Sequence, residues 1–176
     1  EIYKRFGIDT TNSEQTTNQT IPKMSEYIEL GYITGFMDGE GYIGISKGER
    51  DSYTLRVAIT NTNFDMLKMY EKKFGGKIRK TQKDGDQCKD KYQWNIDVHE
   101  ALPFLKFIQP FTIVKRQQID LAIEFQEWHN QIGIIKSVEQ KKKAEWYYNT
   151  IMDMKKETGE TIQNIDEEPE EYTQKT

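Results

Sequence analysis

Two carboxylates, Asp38 and Glu40, stand among three glycines in the run ITGFMDGEG, residues 33–41. The residues before them have helical character, so the acids fall at a helix C-terminus. The unpaired carbonyls and the negative dipole end there disfavour further negative charge. A hard divalent cation with oxygen ligands, such as Mg²⁺ or Mn²⁺, would relieve that cost, and carboxylate plus backbone carbonyl is a suitable donor set. The alternative is a solvent-exposed Asp-Gly turn with no cation.

The helix carrying these acids is expected from Ser25, as N-cap, to about Gly39. Gly31 and Gly35 lie four apart on one of its faces, with Ile28 and Tyr32 in the neighbouring row. Each glycine costs about 1 kcal/mol of helix propensity, which suggests close approach of another backbone.

Beyond the acids, Tyr42–Lys47 and Tyr53–Asn61 read as strands joined by a short charged turn that includes Arg50. In the second, Tyr53, Leu55, Val57 and Ile59 face one way and Thr54, Arg56, Ala58 and Thr60 the other. Asn63–Phe74 has helical spacing and stops at Gly75-Gly76. Lys77–Lys83 and Lys91–Val98 form a second strand pair around Asp84-Gly85. A short helix over Leu102–Gln109 ends at Pro110. A longer one over Phe111–Asn130 carries a stripe of Ile113, Val114, Gln117, Leu121, Phe125 and Trp128. A last helix spans Lys141–Lys156, with Trp146, Tyr147, Ile151 and Met154.

Hairpin, helix, hairpin implies an α+β design, a four-stranded antiparallel sheet with helices on one face. The other face then meets water or a ligand. Its residues are Ser46, Thr54, Arg56, Lys77, Arg79, Thr81, Lys83, Lys91, Gln93 and Asn95, a set able to address phosphates and base edges in a nucleic-acid groove. A one-residue slip in the last strand would put Trp94 there instead.

Composition is consistent with this reading. The 176 residues suit one domain, and 8 Phe, 10 Tyr and 3 Trp can anchor a core although 31% of residues are charged. No apolar run approaches the roughly 18 residues of a membrane span, and the N-terminus has no apolar signal segment. A single cysteine, Cys88, excludes a disulfide framework and a cysteine zinc site and suggests a reducing compartment. His99 and His129 read as structural or surface residues. The net charge of −4 hides its distribution: residues 24–150 carry 19 basic and 18 acidic groups, whereas 151–176 carry 3 and 8. Lys68–Lys91 holds 9 basic and 4 acidic residues, a stripe compatible with nucleic acid or with a merely solvated face. Residues 1–23 read as a flexible arm, 24–160 as the domain and 161–176 as an acidic tail.

Residues 33–41 resemble the signature of the LAGLIDADG homing endonucleases in a Gly-Glu-Gly form. Ile33 stands for Leu, Thr34 for Ala, Phe36 for the second Leu, Met37 for Ile, and Gly39-Glu40 for Ala-Asp; Thr34 and Met37 depart mildly. The order α-β-β-α-β-β-α is that family's repeat, here with added C-terminal helices and a saddle-shaped sheet. Leu102–Gln118 resembles the family's segment around its active-site lysine. The resemblance spans about residues 26–130.

That resemblance implies metal-dependent hydrolysis of both DNA strands at a long, pseudo-palindromic site. It makes Glu40 the metal-binding acid, with the Gly39 carbonyl, and Asp38 the first acid, with a lesser claim on the metal. Lys115 matches the active-site lysine, and Asn61 a polar position that orders water. Arg116 reaches a phosphate. One motif implies a homodimer packed through Gly31, Gly35, Ile28 and Tyr32. Mg²⁺ or Mn²⁺ supports cutting, whereas Ca²⁺ binds without it. Two alternatives share the scaffold: an RNA-binding intron maturase, for which Lys141–Lys143 is a candidate patch, and a DNA-binding regulator without catalysis. Trp128, Trp146 and Tyr147 read as helix core, with base stacking as the alternative. An intracellular setting inside a mobile intron, an organelle included, is implied, and a chain opening on Glu1 suits a frame continuous with an upstream exon.

Overall fold

The alternation of Tyr53–Asn61 makes that strand the spine of the fold. The computed structural model describes residues 24–81, 89–135 and 137–157, without the side chains of residues 24–26 and 50. In it α1 spans Met24–Glu40, β1 Gly41–Lys47, β2 Tyr53–Asn61, α2 Phe64–Phe74, β3 Lys77–Lys80, β4 Tyr92–Asn95, α3 Val98–Ile108, α4 Arg116–Ile132 and α5 Val138–Glu157. The arm 1–23, Lys83, the Asp84-Gly85 turn, Cys88 and the tail 161–176 lie outside the described residues, as does the Arg50 side chain.

The sheet order is β1-β2-β4-β3, and every neighbouring pair is antiparallel. Ile43 lies opposite Val57 and Ile45 opposite Leu55, all turned to the helices. Trp94 lies opposite both Ile59 and Ile78 and is fully buried. The register therefore sends Gln93 and Asn95 to the open face.

Local chemistry sets the element ends. Asn63 caps α2, its side chain accepting from the Met66 amide at 3.1 Å. Gly75 and Gly76 follow at φ 78° and 80°, a backbone region that disfavours side chains. They turn the chain sharply into β3. The core is strongly aromatic: Trp94 packs on Tyr70 and Phe104 with ring centroids 5.1 and 5.6 Å away, and Phe74 meets Phe104 at 4.8 Å. Each such ring stabilises by about 2–3 kcal/mol through burial. This packing gives α1 and the sheet a rigid base. Among the described residues, no helix is long and apolar enough to cross a membrane.

Several expected boundaries move. α1 already includes Ser25, so that residue is not its N-cap. β3 and β4 are shorter than Lys77–Lys83 and Lys91–Val98, although Thr81 still pairs with the Lys91 carbonyl at 2.9 Å. α3 starts at Val98 rather than Leu102 and contains Pro103. α4 starts at Arg116, not Phe111, because Gln109–Phe111 forms a separate 3-10 turn around Pro110. Ile113 and Val114 are 84% and 63% exposed and Gln117 is exposed, so they leave the expected stripe. Trp146 is exposed, while Tyr147 and Ile151 beside it are buried.

Candidate active site and nucleic-acid face

α1 ends on Glu40 and β1 begins on Gly41, with no loop between them. Gly41 makes this junction possible, because a Cβ there would run into the sulfur and carbonyl of Met37. The junction holds Glu40 at one end of the sheet. Its carboxylate is exposed and has no hydrogen bond or ion pair among the described residues.

Asp38 is engaged differently. Its Oδ2 accepts the amides of Ile113 and Val114, both at 2.9 Å, and its Oδ1 accepts the amide of Lys115 at 2.7 Å. Three N–H groups converging on one carboxylate resemble a helix N-cap supplied from a distant element. They pin the segment before α4 to the end of α1. Both oxygens thus take part in positioning, Oδ2 with two amides and Oδ1 with one.

Lys115, carried by the pinned segment, is 3% exposed, and its ammonium donates to the Asp38 carbonyl at 2.9 Å. It places positive charge at the negative end of α1. The protein itself therefore offsets part of the electrostatic cost that the sequence assigned wholly to a cation.

Tyr70, on α2, has no sequence signal for its role. Its hydroxyl donates to the Ile33 carbonyl at 2.6 Å, so the motif helix is held from the core side as well. Burial pushes this phenol above its ordinary range. Thr34 is buried and bonds back to the Leu30 carbonyl at 2.8 Å.

Asn61 sits beyond the Gly41–Ile59 pair, at the same end of the sheet as Glu40. Its side-chain oxygen accepts the Asn63 amide at 2.9 Å and closes the turn into α2. Arg116 donates to the Gln109 carbonyl at 2.7 Å and pairs with Asp120 at 3.4 Å, and its side chain stays 45% exposed.

The open sheet face carries the expected polar set. Thr54, Arg56, Lys77 and Arg79 are exposed; Ser46, Thr81, Lys91, Gln93 and Asn95 are half-buried. Asn95 donates to Gln93 along β4 at 3.2 Å, and Gln93 donates across to the Thr60 hydroxyl on β2 at 3.1 Å. Arg79 lies opposite Gln93 and Lys77 opposite Asn95.

A second surface lies along α1. Among the described residues, a Cβ on Gly31 or Gly35 would meet no atom within 4 Å. Beside them Ile28 and Tyr32 are 66% and 52% exposed. Nothing among the described residues packs against these two glycines.

A family model described as LAGLIDADG endonuclease matches residues 33–122. The fold is similar to an archaeal intron-encoded homing endonuclease, I-Vdi141I, complexed with DNA, with a TM-score of 0.62 at 23% identity over 73% of this chain and 85% of that one. It is also similar to the homing endonuclease I-TnaI, with a TM-score of 0.54 at 19% identity over 73% of this chain and 96% of that one. For the LAGLIDADG homing endonuclease I-LtrWI bound to target DNA the TM-score is 0.56 at 12% identity, over 85% of this chain and 50% of that one. At these identities the structural likeness is one of fold. Among curated proteins none matches.

Proposed function

Since this chain belongs to the LAGLIDADG endonuclease family, we propose that it acts as a homodimer that cuts both strands of a long, two-fold-related DNA site with Mg²⁺ or Mn²⁺. The observation that carries this reading is the division of labour between the two acids. Asp38 accepts three amides, while Glu40 is an exposed carboxylate with no partner among the described residues, at the end of a basic sheet face.

The donors at this end are hard oxygens, and they fit a divalent cation only in part. Among the described residues no three acids, histidines or cysteines cluster. Glu40 and the Gly39 carbonyl would hold the ion, and phosphate oxygens and water would complete its shell. When bound, such an ion supplies neutralisation of the charge that develops at the scissile phosphate and at the departing O3′. The chain's own residues do the rest. Glu40 holds its carboxylate open to the phosphate. Lys115 adds fixed positive charge from beneath. Asn61, whose oxygen is occupied by Asn63, offers its amide N–H to the attacking water. A water oxygen bonds to phosphorus and releases a proton to solvent as the bond to O3′ breaks; O3′ takes up a proton from solvent, leaving a 3′-hydroxyl and a 5′-phosphate.

One chain offers one Glu40, and cutting two strands calls for two. The uncovered face with Gly31, Gly35, Ile28 and Tyr32 suits an isologous contact with a second α1, which would bring the two acids together. Ca²⁺ would support binding without cutting. The RNA-binding alternative draws little support, because Lys141 bonds to Asp51 at 3.2 Å and Lys143 lies over Trp128 at 5.2 Å. Selection from a randomised duplex library in Mg²⁺ and in Ca²⁺, with bound and cut molecules sequenced, tests the reading. Cut, two-fold-related sites in Mg²⁺ are expected; enrichment without cutting in any divalent metal would refute it.

A further inference from the structure

α5 lies outside the segment matched by the family model, yet one of its side chains reaches the open face of the sheet beside the active end. Tyr42 is the second residue after Glu40. It lies opposite Ala58, and Gly44 lies opposite Arg56, so both belong to the open face. The Tyr42 ring lies along the strand over Gly44: a Cβ on Gly44 would sit 2.6 Å from the Tyr42 hydroxyl. The same Cβ would sit 2.7 Å from Nζ of Lys155. That ammonium is 3.4 Å from the centre of the Tyr42 ring, and Lys155 is only 1% exposed. A Cβ at Gly44 would therefore have to move the ring hydroxyl or the ammonium.

We propose that Lys155 is a positioning residue for the nuclease, clamping Tyr42 flat across Gly44 so that the strand leaving Glu40 offers DNA a low, rigid surface. The inference rests on the endonuclease reading. A desolvated cation over a tyrosine face is attracted by the ring quadrupole, and the effect grows when water is excluded. An unclamped Tyr42 could rotate off the strand into the space a DNA backbone must occupy to reach Glu40. Gly44 and Ala58 are themselves buried, so the half-buried Tyr42 ring is what this part of the face presents. Lys155 then acts through Tyr42 and needs no phosphate contact of its own.

The test uses the full chain on the selected duplex, bound first in Ca²⁺ and started with Mg²⁺. It compares wild type, Lys155→Met, Lys155→Arg, Tyr42→Leu and the Lys155→Met/Tyr42→Leu double variant, with Kd and urea midpoint measured for each. Lys155→Met is expected to cut the bound duplex about tenfold more slowly, with Kd within about threefold, because misplacement near the reacting groups costs rate more than affinity. Lys155→Arg keeps a cation over the ring and should cut within about threefold of wild type. The double variant should be no slower than the slower single variant. A purely structural lysine would lower the urea midpoint and leave the rate of the bound complex unchanged. Wild-type cutting by Lys155→Met, equal losses in Met and Arg, or losses that multiply would each overturn the proposal. Should Lys155→Met not fold, Gly44→Ala decides: slow cutting supports the clamp and wild-type cutting overturns it. A wild type that binds but never cuts overturns the endonuclease reading and this inference with it.

Discussion

Replacing Asp38 by Asn separates the positioning acid from the acid proposed to bind metal. The side chain keeps its shape but loses its charge, and one oxygen becomes an N–H₂ donor. Whichever way the amide turns, at least one of the Ile113, Val114 and Lys115 amides loses its acceptor and faces a donor. Losing a hydrogen bond to a charged group costs about 1.5–3 kcal/mol, and the surviving neutral bonds are weaker. Two of the three bonds are exposed, so water recovers part of the loss. The net cost expected is about 2–3 kcal/mol, which for a chain of this size lowers the melting temperature by roughly 6–9 °C. Urea and thermal unfolding measure this directly. Glu40→Gln is the control: Glu40 has no partner among the described residues, so its stability should change by less than about 0.5 kcal/mol. Cleavage should be lost in Glu40→Gln and reduced in Asp38→Asn, where Lys115 loses its anchor. Wild-type stability in Asp38→Asn would refute the positioning role.

Gly35→Leu meets open space in the isolated chain, so the monomer should fold as well as wild type while sedimentation shows the dimer lost and double-strand cutting abolished. Changing Lys77 and Arg79 to Gln removes two exposed cations of the open face, and the slope of log Kd against log salt should fall by about 0.9 for each phosphate contact removed. Burial beside Phe125 lowers the pKa of His129, so the folded state favours the neutral ring. Its stabilising effect should be complete above the ordinary histidine value and fade as pH falls below it; urea midpoints measured between pH 7 and pH 5 should decline less in His129→Gln.

Features set by local chemistry were legible in the sequence. β2 announces itself by strict alternation, α2 by Asn63 and Gly75-Gly76, and the end of α1 by Asp38 and Glu40 among glycines. The misread region, 111–116, is set from afar. Ile113 and Val114 are apolar and follow Pro110 at helical spacing, yet their backbone is held by a carboxylate on α1, about 75 residues away along the chain. No local period encodes such a tie. For the same reason Asp38 and Glu40 look alike in sequence and differ in the fold: among the described residues one is met by three amides, the other by none. Lys155 gave no signal either, since its partners Tyr42 and Gly44 lie on the far side of the chain order. The local contacts of Arg116 with Gln109 and Asp120 have no sequence signal either.

The most direct test of the central claim is strand scission on the selected duplex after complexes formed in Ca²⁺ are shifted to Mg²⁺, with wild type and Glu40→Gln side by side. Wild type should cut both strands and leave 3′-hydroxyl ends, and Glu40→Gln should bind with similar affinity and cut neither. Cutting by Glu40→Gln at the wild-type rate would contradict the assignment of Glu40 as the metal-holding acid.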